Sequence, residues 1–394
     1  MTARVLLLAS LFLPTQGAAV RAASAEDIQA YEAFRSQFGR QDARDYQQRL
    51  VFFMQRRAEV DAQNAKGTWR AKVNKFADMT DLEYQELLGY RKPRRSPLMR
   101  SGTSLLQLGS GGFGGVARSR DWRKALASGG PEFLRTQGGC GSCWAVAAAG
   151  ALEMHAEIAE ADAPSHNASE APAAPAAARR LSVGQVLRCT PNPRHCGGEG
   201  GCSGATAELA FAFVARYGVV AEADWEPDGD DSGDHREIEV KDEMSGLRGR
   251  CAARPALRTT GFVKLPQNQL WPLLAAVSEK GPVVVSVDAE PWTIYDSGVF
   301  NGCKQDATIN HAVLLVGYGE CTEGKYWLIR NSWGNDWGEN GYMRLLRHDG
   351  DEGHNGYCGT DRDPKVGVGC DGGPATLPVC GMCGILSDSS YPKL

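Results

Sequence analysis

Cys140-Gly141-Ser142-Cys143-Trp144 runs straight into Ala145-Val146-Ala147-Ala148-Ala149, and this junction constrains the chain more than any other segment. The alanine-rich run is a strong helix former, so a helix must begin at or beside Cys143. A thiol in the first turn of a helix faces unpaired backbone N–H groups and the positive end of the helix dipole. Both favour thiolate over thiol, and the thiolate is the nucleophile. Position alone makes Cys143 a candidate for covalent catalysis.

A cysteine nucleophile needs a base, and the base needs an orienting group. Of seven histidines, His311 opens an apolar, strand-like run, Ala312-Val313-Leu314-Leu315-Val316-Gly317-Tyr318. A second run, Lys325 to Asn331, follows a Gly-containing loop, and the two read as an antiparallel hairpin. A hairpin centred on Cys321 sets His311 opposite Asn331, and a slip of one residue would part them. In that pairing His311 takes the thiol proton, and the Asn331 side-chain oxygen holds the imidazole. Gln137, six residues before Cys143, and the Cys143 backbone N–H are candidate donors to an oxyanion.

The chain has 394 residues, enough for two or three domains. Residues 1–25 read as a secretory signal: Arg4, an apolar run from Val5 to Leu13, then small residues at Gly17-Ala18-Ala19 or Ala23-Ser24-Ala25. That run is far short of the roughly 20 residues a membrane span needs, so no membrane span is expected. Twelve cysteines in such a chain point to disulfides and an oxidising compartment. If Cys143 stays free, eleven remain, so at least one more is unpaired or pairs between chains. Residues 26–110 hold 15 Lys and Arg against 11 Asp and Glu, and residues 121–394 hold 24 against 36. A basic leader beside an acidic body suits an intramolecular inhibitor. No basic stripe for nucleic acid is seen on the body.

The leader has two helical patterns. Ile28, Tyr31, Phe34 and Phe38 share one face, and Tyr46, Leu50, Phe53, Val60 and Asn64 share another. Arg91-Lys92-Pro93-Arg94-Arg95 and a Gly/Ser-rich stretch follow, the kind of exposed segment where chains are nicked.

The chain resembles a precursor of the papain family of cysteine proteases, of the cathepsin L kind. Cys140 to Trp144 and Asn331-Ser332-Trp333-Gly334-Asn335-Asp336-Trp337-Gly338 carry the resemblance in the body. Asp45, Arg49, Phe53, Arg56, Val60, Asn64 and Asn74-Lys75-Phe76-Ala77-Asp78 carry it in the leader, with Arg56 and Lys72 departing from the family's Asn and Gly. The resemblance implies an α+β fold, with a helical half and a β-barrel-like half flanking a cleft, behind an α-helical prodomain. It implies three segments: the signal, an inhibitory prodomain with its cleaved linker at 26–110, and a peptidase domain at 111–394. The activity implied is a zymogen endopeptidase without metal or cofactor, acting on peptides and proteins as a monomer. The location implied is the secretory pathway, ending in a lysosome, a digestive vacuole or outside the cell.

The catalytic set implied is Gln137, Cys143, His311 and Asn331, with Trp333 on the leaving-group side. Ser203-Gly204-Ala205 matches the strand that binds substrate backbone, with Ala205 where the family has Gly. Asp388 falls at the floor of the pocket for P2, the second residue before the cleaved bond, where an acid can pair a basic side chain as well as admit apolar ones. Cys140–Cys202 and Cys189–Cys251 are implied disulfides, and Cys303 would pair with Cys358 or Cys383; Cys196 and Cys321 have no assignable partner. Inserts are expected near 160–178, 227–250 and 359–382, the first carrying an N-glycosylation sequon at Asn167. A binding or storage protein on the same fold, and a restricted exopeptidase or ligase, are the competing readings.

Overall fold

The computed structural model describes residues 22–40, 45–90, 116–162, 179–225, 251, 254–350 and 356–394. The signal-like run, the basic stretch after Tyr90, Asn167 and nearly all of the first two inserts lie outside them.

Helix α1 (Ala25–Gln37) is opened by Ser24, whose hydroxyl accepts from the Asp27 N–H while Asp27 accepts from the Ser24 N–H. It packs on α2 (Tyr46–Lys66) through Tyr31, Phe34, Leu50 and Phe53. Tyr31 and Phe34 each lie 5.0–5.2 Å, centroid to centroid, from the Phe53 ring. Ile28, expected on this face, is 43 % exposed, because it lies a full turn before the Tyr31–Phe34 contact. Gly67 ends α2 at φ +70°, a conformation glycine adopts without Cβ strain. β1 (Arg70–Ala71) then leaves the helices, and α3 (Asp81–Leu87) follows behind a Thr80–Glu83 capping box.

The body begins with β2 (Arg120–Asp121) and α4 (Trp122–Ala125). Helices α5 (Cys143–Asp162), α6 (Val183–Cys189) and α7 (Ala207–Tyr217) form its helical half. From Cys143 to His155 nearly every residue of α5 is buried, as an alanine-rich helix without a polar face must be. Glu153, inside this helix, is matched by Arg135 at 2.7 Å and by the Leu181 N–H.

The second half contains β3 (Gly261–Lys264), α8 (Leu270–Glu279), β4 (Val283–Val287), β5 (Tyr295–Ser297), β6 (Val299–Phe300) and β7 (His311–Cys321). It continues with β8 (Gly324–Arg330), β9 (Tyr342–Leu346), β10 (Gly359–Asp361), β11 (Leu377–Val379) and β12 (Ser389–Lys393). The main sheet runs β3-β12-β4-β7-β8-β9-β6, with β2 also paired to β7. The leader's β1 adds to β5, pairing Arg70 with Ser297 and Ala71 with Tyr295.

The β7–β8 hairpin forms, but not in the register expected. Cys321 faces Gly324, so the turn is Thr322–Glu323, and an irregularity between Leu315 and Gly317 shifts the pairing once more. In that ladder Leu314 faces Arg330, and Asn331 lies beyond the strand's end. The symmetric-hairpin argument for His311 and Asn331 therefore fails, although the two side chains do meet, as described below.

Five disulfides pair Cys140–Cys202, Cys189–Cys251, Cys196–Cys370, Cys303–Cys383 and Cys358–Cys380. Cys143 and Cys321 are free. Cys196, without an assignable partner in the sequence, joins the helical half to the third insert.

Candidate active site

Cys143 is the first residue of α5, and His311 the first of β7; neither has any exposed surface. The Ala312 N–H donates to Cys143 Sγ at 3.3 Å, which fixes the start of β7 against the thiol. His311 Nε2 lies 2.9 Å from Asn331 Oδ1, an oxygen that also accepts from the Ser332 N–H. Asn331 is held outside the β7–β8 ladder by its N–H to the Gly341 carbonyl. The amide presents an acceptor, so Nε2 carries the proton, and Nδ1, with no hydrogen-bond partner among the described residues, is left as the basic nitrogen. Trp333 lies over the imidazole, 5.0 Å between centroids, and Trp292 meets it edge-on at 6.3 Å. These rings keep water from the His311–Asn331 bond.

The leader fills the space between the two halves. Beyond β1, Lys72 N–H donates to the Ile294 carbonyl and Asn74 Nδ2 to the Thr293 carbonyl, extending the strand contact. Lys75 reaches Asp336 at 2.6 Å. Phe76 and Tyr84 stand edge-on to Trp333, 5.2 and 5.8 Å away. After α3, Gln137 Nε2 donates to the Leu87 carbonyl at 2.7 Å and to the Cys140 carbonyl at 2.8 Å. Gly89 lies directly on the thiol: a Cβ there would sit 2.2 Å from Cys143 Sγ. The Tyr90 N–H then donates to the Asn310 carbonyl at 3.3 Å.

This seal sets the charge state. Burial pushes the Cys143 thiol up to about 11, against backbone N–H groups of Ala312 and Gly89 that favour the thiolate. Burial also pushes His311 down to about 4, with the Asn331 bond opposing. Beneath the leader the pair is neutral thiol and neutral imidazole. The helix start favours thiolate, as expected from sequence, but dehydration outweighs it here.

Tyr90 enters a pocket between the halves. Its hydroxyl is 3.0 Å from Ser286 Oγ, which donates to Asp388 Oδ2 at 2.7 Å. Lys264 Nζ is 2.8 Å from Asp388 Oδ1 and 3.2 Å from Glu208 Oε1. The sheet order explains the assembly: β12 lies between β3 and β4, with Ser390 opposite both Lys264 and Val284. Asp388, 4 % exposed, is thus neither turned to solvent nor available to a basic guest. Burial raises its carboxyl, and the Lys264 ammonium and Ser286 hydroxyl outweigh that, leaving it below its ordinary value. The carboxylate of Asp388, against burial, in turn raises the Lys264 ammonium.

Ser203, Gly204 and Ala205 form the opposite wall. Gly204 has φ +93°, and a Cβ there would sit 2.2 Å from the Gly89 carbonyl oxygen, so only glycine admits the leader this closely. Sequence reasoning missed Lys264, Ser286 and Glu208, and missed Leu87 to Tyr90 as the blocking segment. No local pattern marks them, since each acquires its place from a distant strand or wall.

Residues 116–368 match the model of the papain family cysteine protease, and residues 31–84 that of the cathepsin propeptide inhibitor domain. A cathepsin L-like proteinase of Phaedon cochleariae is 30 % identical over 309 residues, covering 77 % of this chain and 80 % of the relative. Cathepsin J of Rattus norvegicus is 32 % identical over 306 residues, covering 75 % and 76 %. Among solved structures, a recombinant stem bromelain precursor superposes with a TM-score of 0.63 at 26 % identity, covering 94 % of this chain and 99 % of that one.

Proposed function

The chain belongs to the papain family of cysteine proteases and carries a cathepsin-type inhibitory propeptide, and from that premise we propose that it is an endopeptidase zymogen with Cys143 as nucleophile. In this reading His311 is general base and acid, Asn331 orients it, and Gln137 with the Cys143 N–H binds the oxyanion. The observation that carries the reading is the leader's own seat, with Gly89 on the thiol and the Leu87 carbonyl on the Gln137 amide.

Once the leader is gone, His311 Nδ1 takes the thiol proton, and the sulfur attacks the scissile carbonyl. The carbonyl electron pair moves to oxygen, where Gln137 donates to it. Collapse breaks the C–N bond, and the leaving amine takes the proton from His311. Water, deprotonated by His311, then hydrolyses the thioester and restores the thiol.

The leader escapes this chemistry by its direction. Its earlier residues, Phe76 and Tyr84, lie on Trp333, and its later residue, Tyr90, lies in the Asp388 pocket. A substrate would place its acyl side in that pocket and its leaving side at Trp333, the opposite sense. The leader's backbone therefore crosses the thiol in the reverse sense to a substrate.

Tyr90 also supports a P2 preference. A phenol reaches Ser286, whereas an arginine or lysine there would add a second cation beside Lys264. The pocket accordingly selects uncharged side chains, with tyrosine favoured. The five disulfides support passage through an oxidising secretory compartment.

The test is cleavage of fluorogenic dipeptides with Tyr, Phe, Leu or Arg at P2 by the processed enzyme and by Cys143→Ala. Tyrosine should exceed phenylalanine roughly 2- to 10-fold in kcat/KM, the value of one net hydrogen bond, and arginine should be weakest. Arginine equal to tyrosine would overturn the pocket reading, and activity in Cys143→Ala would overturn the nucleophile.

A further inference from the structure

Two segments from opposite walls of the cleft meet beside Tyr90. One is the loop from Asn192 to Gly200, which leads into Ser203-Gly204-Ala205. The other is the stretch from Pro364 to Asp371, after β10. Cys196 and Cys370 join them covalently. The Gly197 N–H donates to the Gly369 carbonyl at 3.1 Å, and the Asp371 N–H to the Arg194 carbonyl at 2.8 Å. His195 Nδ1 lies 2.7 Å from Asp371 Oδ2.

One end of this strap hangs on the Gly204–Ala205 wall, the other on Ile309, near His311. On one wall, the Gly200 N–H donates to the Gly204 carbonyl at 2.7 Å, and a Cβ on Gly197 would sit 3.0 Å from the Ala205 carbonyl. On the other, Asp361 Oδ2 accepts from the Ile309 N–H at 3.2 Å, two residues before His311. Gly367 passes so close to the Ile309 carbonyl oxygen that a Cβ would overlap it, at 1.8 Å. The strap crosses at the level of the pocket, since that same Cβ on Gly197 would also lie 3.0 Å from the Tyr90 ring.

We propose that this strap ends substrate recognition at P2, so that the acyl side of the cleft reads P1 and P2 and gains nothing from P3 or P4. The proposal rests on the endopeptidase reading above. A chain whose P2 side chain occupies the Tyr90 position must carry P3 outward past Gly197 and Gly369. Those two backbones are already hydrogen-bonded to one another and offer P3 no open edge. Asp371 Oδ2 and His195 Nδ1, one from each segment, are already hydrogen-bonded to each other. The chain is turned into solvent, where further residues bind nothing.

The test is a length series on the processed enzyme: acyl-capped fluorogenic peptides with fixed P1 and P2, extended by P3 and then P4. Rates, in a Cys321→Ser background, are normalised to Cys143 titrated with a covalent probe, so that only folded enzyme is counted. The wild-type kcat/KM should stay within about 2-fold along the series, while Cys196→Ser/Cys370→Ser should gain about 10-fold or more on adding P3. A wild-type gain of that size would overturn the proposal without touching the catalytic assignment. A double variant as flat as wild type would overturn the assignment to the strap. Titrated thiol with no turnover of any member would overturn the endopeptidase reading and this proposal together.

Discussion

The side-chain amide of Gln137 donates to the backbone carbonyl of Leu87 at 2.7 Å, so the leader occupies the donor assigned above to the oxyanion. Inhibitor and transition state draw on one N–H. Gln137→Ala should therefore lower kcat of the processed enzyme about 100- to 1000-fold, the usual loss for one such donor. KM should change little, because the charge on oxygen develops only in the transition state. Steady-state kinetics on one dipeptide substrate separate the two; a loss confined to KM would count against this role.

The reactivity of Cys143 should change form when the leader is removed. In the precursor, burial holds the thiol up at about 11 and His311 down at about 4, so the thiolate is scarce at neutral pH. In a Cys321→Ser background, alkylation of Cys143 in the precursor should be slow at pH 7 and climb steadily into the alkaline range. In the processed enzyme, hydration and the neighbouring imidazolium should bring a fast plateau that extends to acid pH. Gly89→Ala, whose methyl group has no room against Sγ, should shift the precursor toward the processed profile. Superimposable profiles before and after processing would refute the seal.

Asp288 should make the precursor more stable in acid. Burial pushes its carboxyl up to about 6 from 3.8, with Glu290 and Asp361 adding to the rise and Asn310 and the Glu290 N–H opposing it. A raised folded-state value means that the folded chain binds the proton more tightly. The stabilisation is fully present below pH 4 and is lost as pH rises through 6, about 3 kcal/mol in all. Thermal unfolding of the Cys143→Ala precursor and of its Asp288→Asn derivative checks this. The stability difference between them should vary between pH 4 and 7; a constant difference would exclude Asp288 as the source.

Legibility was uneven, for reasons that follow from range. Cys143 at a helix start was plain because the alanine run beside it carries the signal within one turn. The sequence points to His311 and Asn331 through a hairpin register that does not form. The turn falls at Thr322–Glu323, and Asn331 reaches the imidazole only because the Gly341 carbonyl holds it beyond the strand. The resemblance puts Asp388 at a pocket floor, and its pairing with Lys264 cannot be read from its own stretch of chain.

Read alone, the sequence determined what is written in contiguous residues: the helix that carries the thiol, the aromatic faces of the leader, and the family to which the cysteine and tryptophan motifs point. Tertiary structure alone decided which residues meet across the cleft. Lys264, Ser286 and Asp388 share a pocket because β12 lies between β3 and β4. Cys196 finds Cys370 across 174 residues, and the same leader that pairs β1 with β5 lays Gly89 on the thiol. Such pairings depend on long-range strand order and on burial that only the folded chain creates, and both lie beyond any local periodicity.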